Sequence, residues 1–190
     1  MAVASETHDI INKIAPINAP FVMKHTGFRL HFTVSLALCV FILATALYME
    51  FAMHMDPCML CMGQRFIYVA IAFVSLLAML HNPMFGGHQR YGFGLLLLSL
   101  LGMALAARQL YLQALPEAQV PACGPSFSYM VDTFPLTEVL SAMVQGSGSC
   151  ATVQWSFLGL SIAGWSLIMF AFLGLNGLHL AITRPKNSLP

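Results

Sequence analysis

Four long stretches of this 190-residue chain contain no charged side chain: Leu30 to Met49, Phe66 to Gln89, Tyr91 to Ala107 and Ala151 to Thr183. A helix crosses the hydrocarbon of a bilayer with about 20 apolar residues, and about 17 is the lower limit. Lipid offers no hydrogen-bond partner to a peptide group, so a spanning segment must close its own hydrogen bonds. Composition agrees: 8% of residues are charged, against roughly 25% in a soluble domain. Within the second stretch, Pro83 and Gly86-Gly87 predict a tight turn, with a helix end near His81. The chain therefore reads as an all-α membrane protein, a four-helix transmembrane bundle with spans near 30–49, 65–81, 91–110 and 156–180. The first span is too long for a signal-peptide core and lacks a small-residue cleavage site after it, so it is expected to be retained.

Lysine and arginine orient such a bundle, because basic residues collect on the cytoplasmic side. Lys13, Lys24, Arg29, Arg90, Arg184 and Lys186 fall on one side of a four-span topology. The other side carries Glu50, Asp56, Glu117, Asp132 and Glu138, with Arg65 and Arg108 at helix ends. Residues 1–27 form an expected cytoplasmic segment, polar and containing Pro16 and Pro20, on the membrane surface or partly disordered. Residues 28–183 form the bundle, and 184–190 a cytoplasmic tail. The outer loops, about 50–64 and 111–154, then face the compartment where disulfides persist. The net charge of +1 and the scattered basic residues carry no nucleic-acid signal.

Four of the five cysteines lie in those outer loops. Cys58 and Cys61 form a C-x-x-C after Asp56-Pro57, a helix-start signal in which Asp caps and Pro takes the first helical position. Free N–H groups and the helix dipole favour a thiolate in such a first turn. Arg65 follows Cys61 by four positions on the same helical face. Its guanidinium suits a thiolate or an anionic ligand, and at that depth it needs such a partner; an interfacial anchor that snorkels is the plainer reading. A C-x-x-C alone also fits half a zinc site, which would need a second pair or histidines. Met49, Met53, Met55, Met59 and Met62 crowd the same loop with His54, a soft donor set that suits Cu(I). Methionine is otherwise an apolar filler, and this chain has 13.

The second outer loop exceeds 40 residues, a length that marks functional or disordered segments. Leu136, Val139, Leu140, Met143 and Val144 follow the spacing of an amphipathic helix, with Pro135 at its start and Gly146 at its end. Such a helix can lie flat on the membrane and tether the loop, or the segment can merely collapse there. Cys123 sits in the turn-rich Pro121-Ala122-Cys123-Gly124-Pro125. Cys150 follows Gly146-Ser147-Gly148-Ser149, a flexible stretch that lets it reach Cys123 or the C-x-x-C. A purely structural Cys123–Cys150 staple is the alternative. Cys39, in the middle of the first span, is expected to act as a small apolar side chain. Only His54 among the histidines falls on the outer side, and none is given a catalytic role.

These residues resemble the DsbB family, quinone-dependent thiol oxidases of the bacterial inner membrane. The matching motifs are Pro57-Cys58-Met59-Leu60-Cys61 with Arg65, Cys123 at the head of a long outer loop, and Cys150 followed by Gln154-Trp155-Ser156-Phe157-Leu158-Gly159. The resemblance covers about residues 28 to 180; the N-terminal extension and the Met-rich loop are not part of the family pattern. It implies that a Cys123–Cys150 disulfide accepts electrons from a periplasmic DsbA-like thioredoxin-fold dithiol, with Cys123 forming the mixed disulfide. Cys150 then exchanges with Cys58, and Cys61 faces ubiquinone or menaquinone with Arg65 beside the quinone oxygen. The other readings are a Cu(I)-binding membrane protein using the Met/Cys/His54 loop and a non-catalytic membrane protein with a structural disulfide.

Overall fold

The computed structural model describes the backbone of residues 19–81, 87–125 and 127–183, with side chains from residue 28 onward. Pro83, Gly86 and the expected tail from residue 184 lie outside the described residues, as does the expected N-terminal segment up to residue 18. Four long helices run α1 (Ala19–Phe51), α2 (Met59–His81), α3 (Gly87–Gln113) and α6 (Ile162–Ile182). All four are long and apolar enough to cross a membrane, in α1 over Phe28–Phe51. Between α3 and α6 lie two short helices, α4 (Phe127–Thr133) and α5 (Leu136–Gln145), and a hairpin of β1 (Ser156–Phe157) and β2 (Leu160–Ser161).

The expected four-span bundle is present, and the boundaries differ for local reasons. α1 begins at Ala19, inside the segment expected to be a surface tail. α2 begins at Met59 rather than near 65, because Cys58 caps it. The fourth span begins at Ile162 rather than 156. Residues 156–161 turn back on themselves, with Leu158 at φ 53° and Gly159 at φ 80°. Positive φ at both central residues is what a two-residue type I′ hairpin requires. Ser161 then caps α6, its Oγ accepting from the Gly164 N–H at 3.4 Å. α5 has the expected bounds. It buries Val139 and Met143 and leaves Leu136, Leu140 and Val144 exposed along its other apolar stripe. Gly146 ends it at φ 75°, and a Cβ there would lie 2.6 Å from Leu60 Cδ1, so only glycine fits on both counts.

Two kinds of contact assemble the bundle. α3 packs most closely on α6, and small residues let the backbones approach. Gly92 and Gly177 face each other: a Cβ on Gly177 would lie 2.7 Å from the Leu96 nitrogen, and one on Gly92 would lie 2.8 Å from the Ala181 nitrogen. The second kind is polar. At one end of the bundle, His31 Nδ1 of α1 donates to Asn176 Oδ1 of α6 at 2.7 Å, and Asn176 Nδ2 donates to Ser35 Oγ at 2.8 Å. α1 and α6 otherwise barely touch. They are pinned at this end and stand apart at the other, where the cysteines lie. Cys39 is fully buried in the helix core with Tyr68, Ile71 and Phe170, as expected for an apolar filler.

Gly177→Ala should lower the melting temperature in detergent, by the equivalent of about 1–3 kcal/mol, because the new methyl meets backbone that cannot yield. Gly94→Ala is the matched control. Its Cβ would find only Val74 Cγ1 at 3.9 Å, so the better helix propensity of alanine should leave stability equal or slightly raised. Equal melting of the two variants would show that the α3–α6 approach is not close-packed.

Candidate functional site: a three-thiol cluster beside an apolar cavity

The α2 N-terminus organises the site. The first N–H groups of a helix have no partner in their own helix. Cys58 supplies one as the cap: its carbonyl accepts from the Met62 N–H at 3.0 Å, and its Sγ accepts from the Cys61 N–H at 3.4 Å. The expected Asp56 cap is not used; Asp56 instead offers its carbonyl to Gln154 Nε2 of the long loop at 3.3 Å. The C-x-x-C thus occupies the cap and first turn, and its two sulfurs lie 2.9 Å apart.

Cys150 completes the cluster. It is fully buried, in a single 3-10 turn over Gly148–Cys150, and its thiol shares a hydrogen bond with Cys58. The glycine-serine stretch before it, read from sequence as flexible, is held: the Gly148 N–H donates to the Ala122 carbonyl at 3.1 Å. A Cβ on Gly148 would lie 2.3 Å from the Pro121 carbonyl oxygen, so glycine alone lets the two strands of the loop run this close. That contact brings the Cys123 backbone beside the Cys150 turn, while Cys123 itself is exposed. All five cysteines are unbonded thiols. The structure thus gathers Cys58, Cys61 and Cys150 and leaves Cys123 at the surface.

Charge in the cluster is uneven. Cys58 is pushed well above the ordinary thiol range, because its proton serves Cys150 and Cys61 and because it is buried. Cys150 is drawn down to about 6: it accepts from Cys58, and the backbone N–H groups of Leu60 and Ser147 add to that against the cost of burial. The Leu60 N–H is another of the unpartnered donors of α2, so the helix N-terminus holds the Cys150 thiolate as well.

Two glutamines passed over in the sequence close the cluster from α3 and α2. Gln109 Nε2 donates to Cys61 Sγ at 3.2 Å and to Cys58 Sγ at 3.5 Å. Gln64 Nε2 donates to Gln109 Oε1 at 2.8 Å. Both are 5% exposed. The available signal was an amide inside an otherwise apolar segment, which must find a partner in lipid. Gln109 was obscured because Arg108 marks the edge of an uncharged run, whereas the helix continues to Gln113.

A cavity of about 610 Å³ opens beside the thiols, between the separated ends of α1 and α6. Phe41, Ala46 and Met49 of α1 form one wall and Trp165 and Met169 of α6 another; Cys58, Cys61, Gln64, Arg65, Tyr68 and Gln109 line it as well, with Trp155 and Phe157 of the hairpin segment. It has the size of a site for an extended apolar molecule with a few converging polar groups. Arg65 is not bonded to Cys61. Its guanidinium pairs with Glu50 at the end of α1, and Nη2 donates to the Ala46 carbonyl at 3.1 Å. Glu50, not assigned a role from sequence, is thus the partner that an arginine at this depth requires. Met49, Met53 and Met55 also line the cavity, and His54 is exposed at φ 52°. Among the described residues no three of His, Cys, Asp or Glu converge as a metal-ligand set.

Residues 28–180 match the family described as Disulfide bond formation protein DsbB. Relatives named Disulfide bond formation protein B include one from Marinobacter nauticus, 48% identical over 146 residues, which span 77% of this chain and 87% of the relative. One from Nitrosococcus oceani is 48% identical over 72% of this chain and 81% of its own length. One from Hahella chejuensis is 51% identical over 66% and 76%.

The depressed Cys150 pKa has a measurable sign. In the fully reduced protein, Cys150 should be a thiolate at neutral pH and gain a proton as pH falls through about 6. The stability it contributes should be present above the ordinary thiol pKa and be lost through that same acid step. The ultraviolet thiolate absorbance removed by Cys150→Ser should therefore disappear near pH 6, and Cys123→Ser should leave the step in place. A step above pH 8 would show that the α2 N-terminus does not hold this thiolate.

Proposed function

The chain belongs to the DsbB family of disulfide bond formation proteins, and we propose that it oxidises a periplasmic thioredoxin-fold dithiol protein, DsbA-like, and delivers the electrons to a membrane quinone. A disulfide-forming oxidoreductase of a membrane needs thiols that exchange with each other and a route for electrons out of them. The observation that carries the reading is the contact of Cys150 with Cys58, next to Cys61, on the wall of an apolar cavity at the level of the transmembrane helices.

The order of exchange follows from exposure. Cys123 is exposed on a proline-bounded turn, so it meets the partner's thiolate and forms the mixed disulfide. Attack by the partner's second thiol releases the oxidised partner and leaves Cys123 and Cys150 reduced. The Cys150 thiolate, buried against Cys58, attacks Cys58 Sγ of a Cys58–Cys61 disulfide; the Cys58–Cys150 bond forms and the electron pair of the broken bond leaves on Cys61. Cys123 then attacks Cys150, which restores the loop disulfide and leaves Cys58 and Cys61 reduced. Exchange of this kind needs a thiolate attacker and an accessible sulfur, and the Cys150 pKa of about 6 supplies the first.

The cavity fits ubiquinone or menaquinone: its walls are chiefly apolar, and its polar lining includes Gln64, Arg65 and Gln109 beside Cys61. Arg65 and Gln109 would hold the ring end, and the α1 and α6 walls the hydrocarbon tail. A bound quinone supplies a two-electron, two-proton acceptor, so dithiol and quinone become disulfide and quinol in balance. With a quinone bound, Arg65 would supply positive charge toward the negative charge developing on the ring. Glu50 keeps that guanidinium against α1. The distribution of basic residues supports a reading with both termini in the cytoplasm and the thiols in the periplasm, in the inner membrane, with residues 28–183 as the proposed redox domain.

Anaerobic quinone reduction by the purified protein with a reduced thioredoxin-like partner tests the reading. Cys123→Ser should abolish partner oxidation while Cys58 and Cys61 stay oxidisable by quinone. Cys61→Ser should still trap mixed disulfides with the partner but reduce no quinone. Arg65→Met should slow quinone reduction by about a hundredfold and spare exchange. Quinone absorbance, read in parallel with gels of trapped mixed disulfides, separates the three. Wild-type quinone reduction by Cys61→Ser would overturn the assignment.

A further inference from the structure

Gln109 makes a contact that holding a quinone ring does not account for. Gln109 spans both sulfurs of the C-x-x-C with a single amide nitrogen, 3.2 Å from Cys61 and 3.5 Å from Cys58. Its oxygen is engaged by Gln64 Nε2 at 2.8 Å. That bond leaves the Gln109 nitrogen nearer the sulfurs than its oxygen, which lies 3.7 Å from Cys61 Sγ. The Gln64–Gln109 pair also joins α2 to α3, but that adhesion does not require the Gln109 nitrogen to face both sulfurs.

We propose that Gln109 is a catalytic residue of the exchange step, the hydrogen-bond donor that receives the negative charge when it moves from Cys150 to Cys61, with Gln64 as the positioning residue that orients it. The inference rests on the relay order proposed above. When the Cys150 thiolate attacks Cys58, the Cys58–Cys61 bond breaks and its electron pair goes to Cys61 Sγ. One charge enters as a thiolate and one leaves as a thiolate, so no proton is consumed and no co-reactant is required. The cost of the step is the appearance of an anion in a site with little water. A hydrogen bond to an anionic sulfur is about twice as strong as one to a neutral acceptor, so Gln109 favours the leaving thiolate over the intact disulfide. The same preference stabilises the reduced pair and makes the Cys58–Cys61 disulfide a stronger oxidant. Arg65 does not take this role, because its guanidinium is committed to Glu50 and the Ala46 carbonyl.

The test reads the cysteine pair directly, with neither partner nor quinone present. In a Cys123→Ala, Cys150→Ala background, the full chain is equilibrated in glutathione buffers of graded potential and the Cys58–Cys61 state is read by gel shift. Gln109→Leu should make the disulfide easier to form by about tenfold in equilibrium constant, a potential about 30 mV more negative. It should also slow alkylation of reduced Cys61 at neutral pH by about tenfold, with the rate recovered at higher pH. Gln64→Leu keeps the donor and loses its orientation, so it should shift both readouts in the same direction by less; it serves as the variant if Gln109→Leu does not accumulate. A lowered melting temperature with unchanged potential and alkylation would make Gln109 a packing residue and overturn the proposal. Failure of the wild-type protein to reduce quinone would instead strike the relay and leave these shifts readable.

Discussion

Hydrocarbon offers no hydrogen bond, and that single constraint decides how these helices meet. Most polar side chains inside the bundle find a partner, often on a different helix; among the described residues the Ser75 and Ser99 hydroxyls are buried without one. His31 and Ser35 join α1 to α6 through Asn176. Tyr68 joins α2 to α6 through Ser166 at 3.1 Å. Gln64 and Gln109 join α2 to α3, and Arg65 and Glu50 join α2 to α1. A one-residue slip of any helix would strand one of these groups, at a cost of several kcal/mol per unpaired group in an apolar medium. Helix register is therefore set by a few polar contacts, while the apolar surface, much of it turned toward lipid, is tolerant.

The same scarcity of partners explains why the thiols gather at the start of α2. Its first N–H groups have nothing to bond within the helix, and two of them are taken by sulfur, from Cys58 and Cys150. The long loop is drawn to this point by packing as well. Leu60, Leu112, Val139 and Met143 form a small core that includes Cys58 and Cys150. The loop's fold and the thiol contacts are thus one cooperative unit: a change that loosens α5 also withdraws Cys150 from Cys58.

The spans were legible because bilayer thickness imposes a length and forbids charge, and both are countable in a sequence. The amphipathic α5 was legible because Leu136 to Val144 keep one period between a proline and a glycine. The hairpin at 156–161 was not, since Leu158 occupies a left-handed conformation that glycine or asparagine normally signals. It therefore read as the first turns of the last span. The cysteine set was visible as residue types, but which sulfurs touch depended on tertiary contacts such as Gly148 against Pro121. Glu50 and the two glutamines were invisible for a related reason. A polar residue at a helix end looks like an interfacial residue until the facing helix is known.

α1 and α6 are tied at the His31–Asn176 end and separated at the other, and the cavity is lined by residues of both. Phe41 and Tyr48 on its rim are 69% and 65% exposed, on surface that faces lipid rather than water. A ligand admitted through such a flank is drawn from a two-dimensional reservoir. Its occupancy follows its mole fraction among the surrounding lipids, not its concentration in the buffer. Adding detergent or lipid at fixed ligand then dilutes it and weakens apparent binding with no change in the protein. Affinities measured for this cavity acquire meaning only when expressed per lipid.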